Sequence, residues 1–206
     1  MGPRTLAVFD LDGTLTRRDT LLPFLRRVSG RRRTALALLA AAPLLMRSRA
    51  GGPGAEKASH GSKQAVIGRL LAGRELVALT AEALAFAGEV VAGGLRPDAL
   101  PRIDEHRRSG DELVMVTASP ELYAAPIGAL LGFDVVLGTR LEVTAEGRLT
   151  GRISGLNCRG TEKVARLAAW SGPGPHVIHA YGDSSGDRDL LAGADTAVNV
   201  GRRRSG

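Results

Sequence analysis

Five short apolar segments end in polar, small or acidic residues, and this repetition constrains the fold more than any other feature of the sequence. Strands that alternate with helical segments are typical of a parallel sheet with helices on both faces. The sequence therefore predicts an α/β fold with a doubly wound, Rossmann-like parallel sheet. The predicted strands are 5–9, 112–116, 134–137, 176–181 and 196–200, and the helical segments between them are 97–109, 120–131 and 161–170.

The segment 17–93 breaks this alternation, because it has little strand character. Its helical stretches are 19–29, 34–47, 62–72 and 75–91, with a flexible AGGPGAE segment at 50–56. We interpret 17–93 as an inserted helical domain, called the cap below. Residues 1–16 and 94–206 then form the α/β core.

A second exception is the segment 139–154, in which polar and apolar residues alternate on both sides of Glu146 and Gly147. Such alternation about an acidic residue and a glycine is typical of a β-hairpin. We expect this hairpin to protrude from the main sheet.

Composition limits the classes of function. The chain of 206 residues has a formal net charge of +7, but several of its arginines fall in short clusters at 31–33, 107–108 and 202–204. Such clusters are typical of solvated helix ends, and aromatic residues make up only 3% of the chain, too few for base-stacking platforms. We expect no nucleic-acid partner.

The stretch 34–46 is continuously apolar between Arg33 and Arg47. Thirteen residues are too few for a comfortable membrane span, and Pro43 interrupts them. A buried cap helix is the favoured interpretation, and peripheral membrane contact through the cap is the alternative. The N-terminus has no pattern of a secretory signal, so a cytoplasmic location is expected.

The first strand ends in two acids, Asp10 and Asp12, which are followed by Gly13 and Thr14. One carboxylate at a strand end often caps a helix. Two carboxylates beside each other repel and carry a desolvation cost, which a hard cation offsets. The pair therefore favours a metal site combined with acid–base chemistry.

The strand 112–116 leads into Thr117, Ala118 and Ser119, which precede Pro120. Ser119 before a proline is a good start for a helix. A hydroxyl group with exposed backbone N–H groups is equally suited to binding phosphate. Both interpretations stay open from the residues alone.

Three of the 28 basic residues are lysines, namely Lys57, Lys63 and Lys163. Lys163 falls in the first turn of a predicted helix that Thr161 would cap. A cation there opposes the helix dipole, which weakly indicates a bound anion, although a solvated lysine is the simpler interpretation.

Three acids follow the strand 176–181 within seven residues: Asp183, Asp187 and Asp189. They repel strongly unless a counterion lies among them. A helix cap explains one of them, and a divalent cation explains two.

These four clusters, in this order, resemble the motifs of the haloacid dehalogenase superfamily of phosphohydrolases over nearly the whole chain. The matching motifs are DxDGT at 10–14, the strand-ending Thr117, Lys163 and GDxxxD at 182–187. A helical cap between the first two motifs resembles the C1 class. VTASPELY and NCRGTEKVARL resemble the phosphoserine-phosphatase-like branch, subfamily IB, which also includes phosphatidylglycerophosphatase C.

The resemblance implies a Mg²⁺-dependent phosphomonoesterase. Asp10 would be the nucleophile, and Asp12 the general acid and base. Thr117 and Lys163 would hold the phosphoryl oxygens, with Gly13, Thr14, Ala118 and Ser119 in the phosphate-binding loops. The magnesium ligands would be the Asp10 carboxylate, the Asp12 backbone carbonyl and Asp183, with Asp187 ligating directly or orienting a bound water.

The substrate implied by the resemblance is a small amino-alcohol or amino-acid phosphate, or a lipid head-group phosphate. Asp19 matches the position of a glutamate that binds the substrate's amino group in the amino-acid phosphatases, but on a shorter side chain. Gly186 replaces their usual asparagine, and both departures argue against phosphoserine itself. The protein is expected to be a monomer or a homodimer.

Other functions remain as alternatives. A mutase or phosphotransferase of the same superfamily would pass the phosphoryl group to an acceptor other than water. A phosphorylatable receiver-like module also places acids and a lysine at strand ends. Cys158 has no neighbouring His or second Cys, so a packed residue is favoured over a nucleophile.

Overall fold

The computed structural model describes residues 3–50 and 54–201. Its strands are β1 Arg4–Phe9, β2 Glu112–Pro120, β3 Val135–Thr139, β4 Leu141–Val143, β5 Leu149–Ile153, β6 His176–Gly182 and β7 Thr196–Asn199. Its helices are α1 Leu21–Ser29, α2 Arg31–Ala50, α3 Ala55–Leu71, α4 Leu76–Glu89, α5 Ala99–Ser109, α6 Glu121–Leu130, α7 Thr161–Ser171 and α8 Arg188–Ala192.

Five strands form a parallel sheet in the order β3-β2-β1-β6-β7, and this confirms the predicted α/β fold. Val8 of the central strand is in register with Val114 of β2 and with Ala180 of β6. The chain runs from β1 towards β3 on one side and then crosses to β6 on the other, so the strand order reverses beside β1. In open α/β sheets, ligands bind outside the carboxyl ends of the strands at such a reversal.

Each face of the sheet has its own hydrophobic cluster, because successive side chains of a strand point to opposite faces. On one face, Ala7 and Phe9 pack with Met115 and with buried residues of α4, α5 and α6. On the other face, Leu6 and Val8 pack with residues of β2, β3, α7 and α8. The central strand is therefore buried on both sides, as its apolar sequence requires.

The cap comprises α1–α4. Its α4 packs Ala83 and Phe86 into the cluster that contains Phe9. Its α2 and α3 share a separate cluster with Leu149 and Ile153 of the antiparallel β4–β5 hairpin. The hairpin forms where the sequence predicts it and packs against the cap. The boundaries of 17–93 for the cap and of 1–16 and 94–206 for the core stay a prediction.

Helix α2 is only half buried, which corrects the favoured interpretation of 34–46 as a buried helix. Thr34, Ala37 and Ala41 face the cap interior. The opposite face carries Leu36, Leu39, Pro43 and Met46, and three of these side chains are 66–70% exposed. The spacing of the four residues places them along one side of the helix. We call them the apolar stripe.

Neither of the two candidate helix caps, Ser119 and Thr161, caps a helix. Strand β2 continues to Pro120, so Ser119 lies in extended backbone and caps no helix. Helix α7 has Gly160 at its N-cap, and Thr161 is its first residue. The arginines 202–204 and residues 51–53 of the segment predicted to be flexible at 50–56 lie outside the described residues.

Within the described ranges, one helical stretch, Leu76–Gly94, is long and apolar enough to cross a membrane by length and composition. The same test is passed by core helices, and this stretch packs Leu79, Ala83 and Phe86 into the protein interior. The finding is therefore weak evidence for a membrane span.

Candidate active site

The candidate site lies where β1, β2 and β6 end, beside the reversal of strand order. Asp10 follows β1, and Asp183 follows β6. The Asp10 N–H donates to the Tyr181 carbonyl at 3.0 Å, which ties the two strand ends together. Parallel pairing thus brings together residues that are far apart in the sequence.

A buried ion-pair cluster lies at the centre of the site. Lys163 Nζ is 2.6 Å from Asp10 Oδ1 and 2.6 Å from Asp187 Oδ1, and all three side chains are at least 92% buried. Lys163 therefore does not behave as the solvated first-turn lysine of the simpler interpretation. The carboxylates of its own chain are its anionic partners, because a buried charge must be paired.

The ionisation of this cluster is set by burial and by Lys163. Burial raises the pKa of Asp10 to about 7, although the positive charge of Lys163 opposes that shift. Burial would also raise the pKa of Asp187, but Lys163 and the hydrogen bonds from Ser184 hold the pKa of Asp187 below its usual range. The two carboxylates keep the pKa of Lys163 above its usual value despite its burial.

Asp183 completes a group of three carboxylates. Ligand atoms of Asp10, Asp183 and Asp187 all lie within 4.8 Å of one another. Asp183 Oδ1 is buried and has no hydrogen-bond partner among the described residues. With Lys163, these groups carry a net charge of −2 when ionised, which a divalent cation would neutralise. Three carboxylates and an unsatisfied oxygen therefore fit a hard cation such as Mg²⁺.

The hydrogen bonds show which of these three carboxylates can still bind a metal ion directly. Asp187 Oδ1 binds Lys163, and Asp187 Oδ2 accepts from the backbone N–H groups of Asp183 and Ser184 and from the Ser184 hydroxyl group. Both oxygens of Asp187 are thus engaged, which suits an orienting role more than direct ligation. Asp10 and Asp183 are the better candidates for direct ligands.

Gly13 permits this close packing. Its φ of 81° lies in the left-handed region, and a Cβ there would overlap Asp183 Oδ2. Any other residue would be strained and would collide with the carboxylate. The glycine of the DxDGT motif is therefore explained by the approach of Asp183.

Asp12 occupies a different environment, which we call the hydroxyl cluster: Thr20, Ser119 and Tyr123. Asp12 Oδ1 accepts from the Thr20 N–H at 2.7 Å and from the Thr20 hydroxyl group at 2.6 Å. Asp12 Oδ2 accepts from the Ser119 hydroxyl group at 2.5 Å, and Tyr123 donates to Ser119 Oγ at 2.7 Å. Among the described residues, no lysine, arginine or histidine side chain forms an ion pair with this carboxylate.

Burial raises the pKa of Asp12, and repulsion from Asp19 adds to the shift. Hydrogen bonds from Ser119 and Thr20 oppose it. Hydroxyl groups both donate and accept, so this cluster accommodates Asp12 with or without a proton. That property suits a general acid and base.

The loop after β2 carries further polar contacts. Thr117 is fully buried, and its Oγ1 accepts from the Ser119 N–H at 3.0 Å. The Ala118 carbonyl accepts from Lys63 Nζ of the cap at 2.5 Å and from the Thr139 hydroxyl group at 2.6 Å. The loop is thus held from the cap as well as from the core.

Two predicted substrate residues lie at the periphery of these clusters. Asp19 is exposed, and its Oδ1 accepts from the Leu22 N–H at the start of α1. Thr14 is buried, and its Oγ1 has no partner within the described part of the chain. The roles of these two residues, like those of the other site residues, stay predictions.

Sequence reasoning missed Thr20 and Tyr123, which the fold brings to Asp12 and Ser119. It also missed Asn157, which accepts a hydrogen bond from Lys63. Nothing in their local sequence distinguishes them. Lys63 had one signal, since it is one of three lysines in an arginine-rich chain. Cys158 is fully buried, and burial raises its pKa to about 11, so its thiol is poorly suited to be a nucleophile.

Comparisons with known proteins identify the family of the chain. Residues 7–192 match the family model for haloacid dehalogenase-like hydrolases. The chain is 38% identical to Protein CicA of Caulobacter vibrioides over 191 residues, which cover 92% of this chain and 83% of that protein. It is 28% identical to the phosphoserine phosphatase SerB1 of Mycobacterium tuberculosis over 201 residues, or 94% of this chain and 64% of that protein.

Solved structures have the same fold. A protein of unknown function from Bordetella pertussis Tohama I matches with a TM-score of 0.75 and 32% identity, over 93% of this chain and 87% of that one. A phosphoserine phosphatase solved as a phospho-aspartyl intermediate analogue matches with a TM-score of 0.61 and 19% identity, over 96% and 87% of the two chains.

The chain belongs to the haloacid dehalogenase-like hydrolase family. The family and the fold predicted from the motifs are thereby confirmed. The phosphatase-named relatives also support the predicted enzyme class, a phosphoric monoester hydrolase of the phosphoserine-phosphatase type.

Proposed function

We propose that the protein is a Mg²⁺-dependent phosphatase that hydrolyses a phosphomonoester through an aspartyl-phosphate on Asp10. One observation carries the proposal: two buried carboxylates two residues apart have opposite surroundings. Asp10 lies with Lys163, Asp183 and Asp187, whereas Asp12 lies among hydroxyl groups. Lys163 and a bound cation would stabilise the charged form of Asp10 against the effect of burial, whereas the hydroxyl groups accommodate Asp12 with or without a proton.

In the first half-reaction, an Asp10 carboxylate oxygen attacks phosphorus, and the bond from phosphorus to the leaving alcohol oxygen breaks. Asp12 gives its proton to that oxygen as the alcohol departs. Lys163 would stabilise the negative charge on the phosphoryl oxygens, and Thr117 would donate a hydrogen bond to them. Lys163 also orients Asp10, which it already contacts.

In the second half-reaction, Asp12 takes a proton from a water molecule that attacks the phosphorus. The bond between phosphorus and Asp10 then breaks, and inorganic phosphate leaves, with Asp10 again a carboxylate and Asp12 again protonated. Bound Mg²⁺, held by Asp10, the Asp12 carbonyl and Asp183, would supply charge neutralisation and Lewis-acid polarisation of the phosphoryl group.

Hydrolysis of p-nitrophenyl phosphate tests this proposal directly. Wild-type protein should release phosphate with added Mg²⁺ and lose the activity with EDTA. Asp10→Asn should be inactive under both conditions. Equal activity in wild type and Asp10→Asn would refute the mechanism.

Product analysis separates hydrolysis from the alternatives. A phosphatase releases one inorganic phosphate for each alcohol formed. A mutase or phosphotransferase would leave phosphate on an organic acceptor, and a receiver-like module would hold a long-lived aspartyl-phosphate without turnover. Asp12 in its proton-exchanging environment supports turnover.

For the substrate, we propose a lipid head-group phosphate presented at an anionic membrane surface, with a small amino-alcohol or amino-acid phosphate as the alternative. The apolar stripe of α2 leaves Leu36, Leu39 and Met46 exposed between the exposed arginines 31–33 and Arg47. Apolar side chains flanked by positive charge favour anionic lipid. Pairing with a second copy would bring like charges together, since both ends of the helix are basic.

Vesicle co-sedimentation tests whether the apolar stripe binds anionic lipid. Binding to phosphatidylglycerol vesicles should exceed binding to phosphatidylcholine vesicles, and the double variant Leu36→Ser/Leu39→Ser should abolish the difference. Val77→Ser, at a side chain 83% exposed on α4, is the matched control and should bind like wild type. Absence of vesicle binding, or a dimer that the double variant dissociates, would contradict the membrane proposal and leave the phosphatase proposal intact.

A further inference from the structure

Lys63 is a polar link from the cap to the loop that carries Thr117. It projects from α3, and its Nζ donates to the Ala118 carbonyl at 2.5 Å and to Asn157 Oδ1 at 2.9 Å. Both acceptors lie outside the cap. An ammonium group held by two oxygens makes charge-assisted hydrogen bonds, which are stronger than neutral ones.

The Ala118 carbonyl belongs to the same peptide group as the Ser119 N–H. That N–H donates to Thr117 Oγ1 at 3.0 Å. A positive charge on a carbonyl oxygen withdraws electron density from its peptide group and strengthens the N–H as a donor. A hydroxyl oxygen that accepts such a bond is in turn a better donor through its own proton. The contacts therefore form a polarised chain from Lys63 to the Thr117 hydroxyl group.

We propose that Lys63 is a positioning residue that orients and strengthens the Thr117 hydroxyl group as a donor to the transferred phosphoryl group. It acts through the Ala118–Ser119 peptide, so the contact of the cap with the loop and the binding of the phosphoryl group are coupled. This inference rests on the proposed phosphatase function and adds to it a residue outside the family motifs.

Thr139 makes the role of the charge separable from the role of the hydrogen bond. Its hydroxyl oxygen lies 2.6 Å from the Ala118 carbonyl and 2.9 Å from Asn157 Oδ1. When Lys63 is replaced, Thr139 still provides a neutral donor at this junction. Loss of Lys63 should therefore remove the polarising charge and leave the loop folded.

The test compares Lys63→Met with Lys57→Met, which removes the same charge from an exposed position of the same helix. Steady-state hydrolysis is measured with p-nitrophenyl phosphate and with an alkyl phosphate, and binding of inorganic phosphate and orthovanadate is measured by inhibition. Lys63→Met should lower kcat/KM by about 10-fold or more, and by the same factor for both substrates. It should weaken inhibition by orthovanadate by a similar factor. Lys57→Met should match wild type.

A double-mutant cycle with Thr117→Val tests whether Lys63 acts through the Thr117 hydroxyl group. In the Thr117→Val background, Lys63→Met should have little further effect, because the donor that it strengthens is gone. Lys63→Arg, which keeps the charge, should recover part of the activity. Lys63→Gln serves as the second variant if circular dichroism shows that the methionine variant is unfolded.

Three results would overturn the inference: wild-type activity in a folded Lys63 variant, an undiminished effect in the Thr117→Val background, or a loss that depends on the leaving group. The last would mean that Lys63 contacts the leaving alcohol instead. If wild type itself shows no release of phosphate that depends on Asp10, the proposed function fails, which is a distinguishable outcome.

Discussion

Asp10 and Asp12 are neighbours in sequence, yet they occupy two contrasting regions of the site. Asp10 meets a cation that lies 153 positions away, in a buried cluster of opposite charges. Asp12 meets only neutral donors from Thr20 and Ser119. Ionic partners favour one charge state, whereas hydroxyl groups accommodate two. The difference teaches that the same side chain acquires a nucleophile's or a proton carrier's environment from its neighbours.

The largest effect on activity is expected at Asp10, in the buried ion-pair cluster that it forms with Lys163 and Asp187, called the ionic region below. Asp10→Asn keeps the shape of the side chain but removes the attacking oxygen's charge, so kcat should fall by at least about 10³-fold. Phosphate release from p-nitrophenyl phosphate is the measurement, and circular dichroism verifies the fold. Residual activity near the wild-type level would show that Asp10 is not the nucleophile.

Removal of metal should be nearly as severe. We expect EDTA to reduce activity by roughly 10²-fold or more and added Mg²⁺ to restore it, since a bound cation contributes several kcal/mol of charge stabilisation. Mg²⁺ should also raise the Tm of wild type, and Asp183→Asn should lose that increase. An unchanged Tm in wild type at millimolar Mg²⁺ would contradict the assignment of this site.

Replacement of Lys163 tests how strongly the ionic region depends on its cation. Lys163→Met leaves Asp10 and Asp187 buried without their partner, so the free energy of unfolding in EDTA should fall by about 3–5 kcal/mol. Urea denaturation measures it. Arg148→Met, which breaks an exposed pair with Glu75, is the control and should cost at most about 1 kcal/mol. Equal losses would mean that burial does not distinguish the two pairs.

The smallest effect is expected in the hydroxyl cluster. Ser119→Ala removes a hydrogen bond that lowers the pKa of Asp12, so that pKa should rise further. The basic limb of kcat/KM for an alkyl phosphate, where Asp12 loses its catalytic proton, should move to higher pH with a rate change of about 10-fold or less. Tyr123→Phe, which touches Ser119 rather than Asp12, should shift the limb less. A shift to lower pH would contradict the role of Asp12 as the acid.

Much of the fold was predictable because its signals are local. The strand β1 and the helices α5–α7 follow from apolar runs and helical spacing that involve nearby residues only. The exposed half of α2 was not predictable, because both of its faces are apolar and only the packing of α3 decides which one is covered. The extension of β2 through Ser119 likewise depends on pairing with β3.

For the candidate site, the sequence by itself determined the family, the acids at the strand ends and their approximate meeting place, since parallel strands end at one edge. The tertiary structure alone decided which partner each acid receives. It placed Lys163 on Asp10 and Asp187, closed the hydroxyl cluster around Asp12, and brought Lys63 from the cap to the Ala118 carbonyl. The physical reason is distance along the chain: motifs are read from neighbouring residues, whereas these contacts join segments that meet only when the core and the cap have packed.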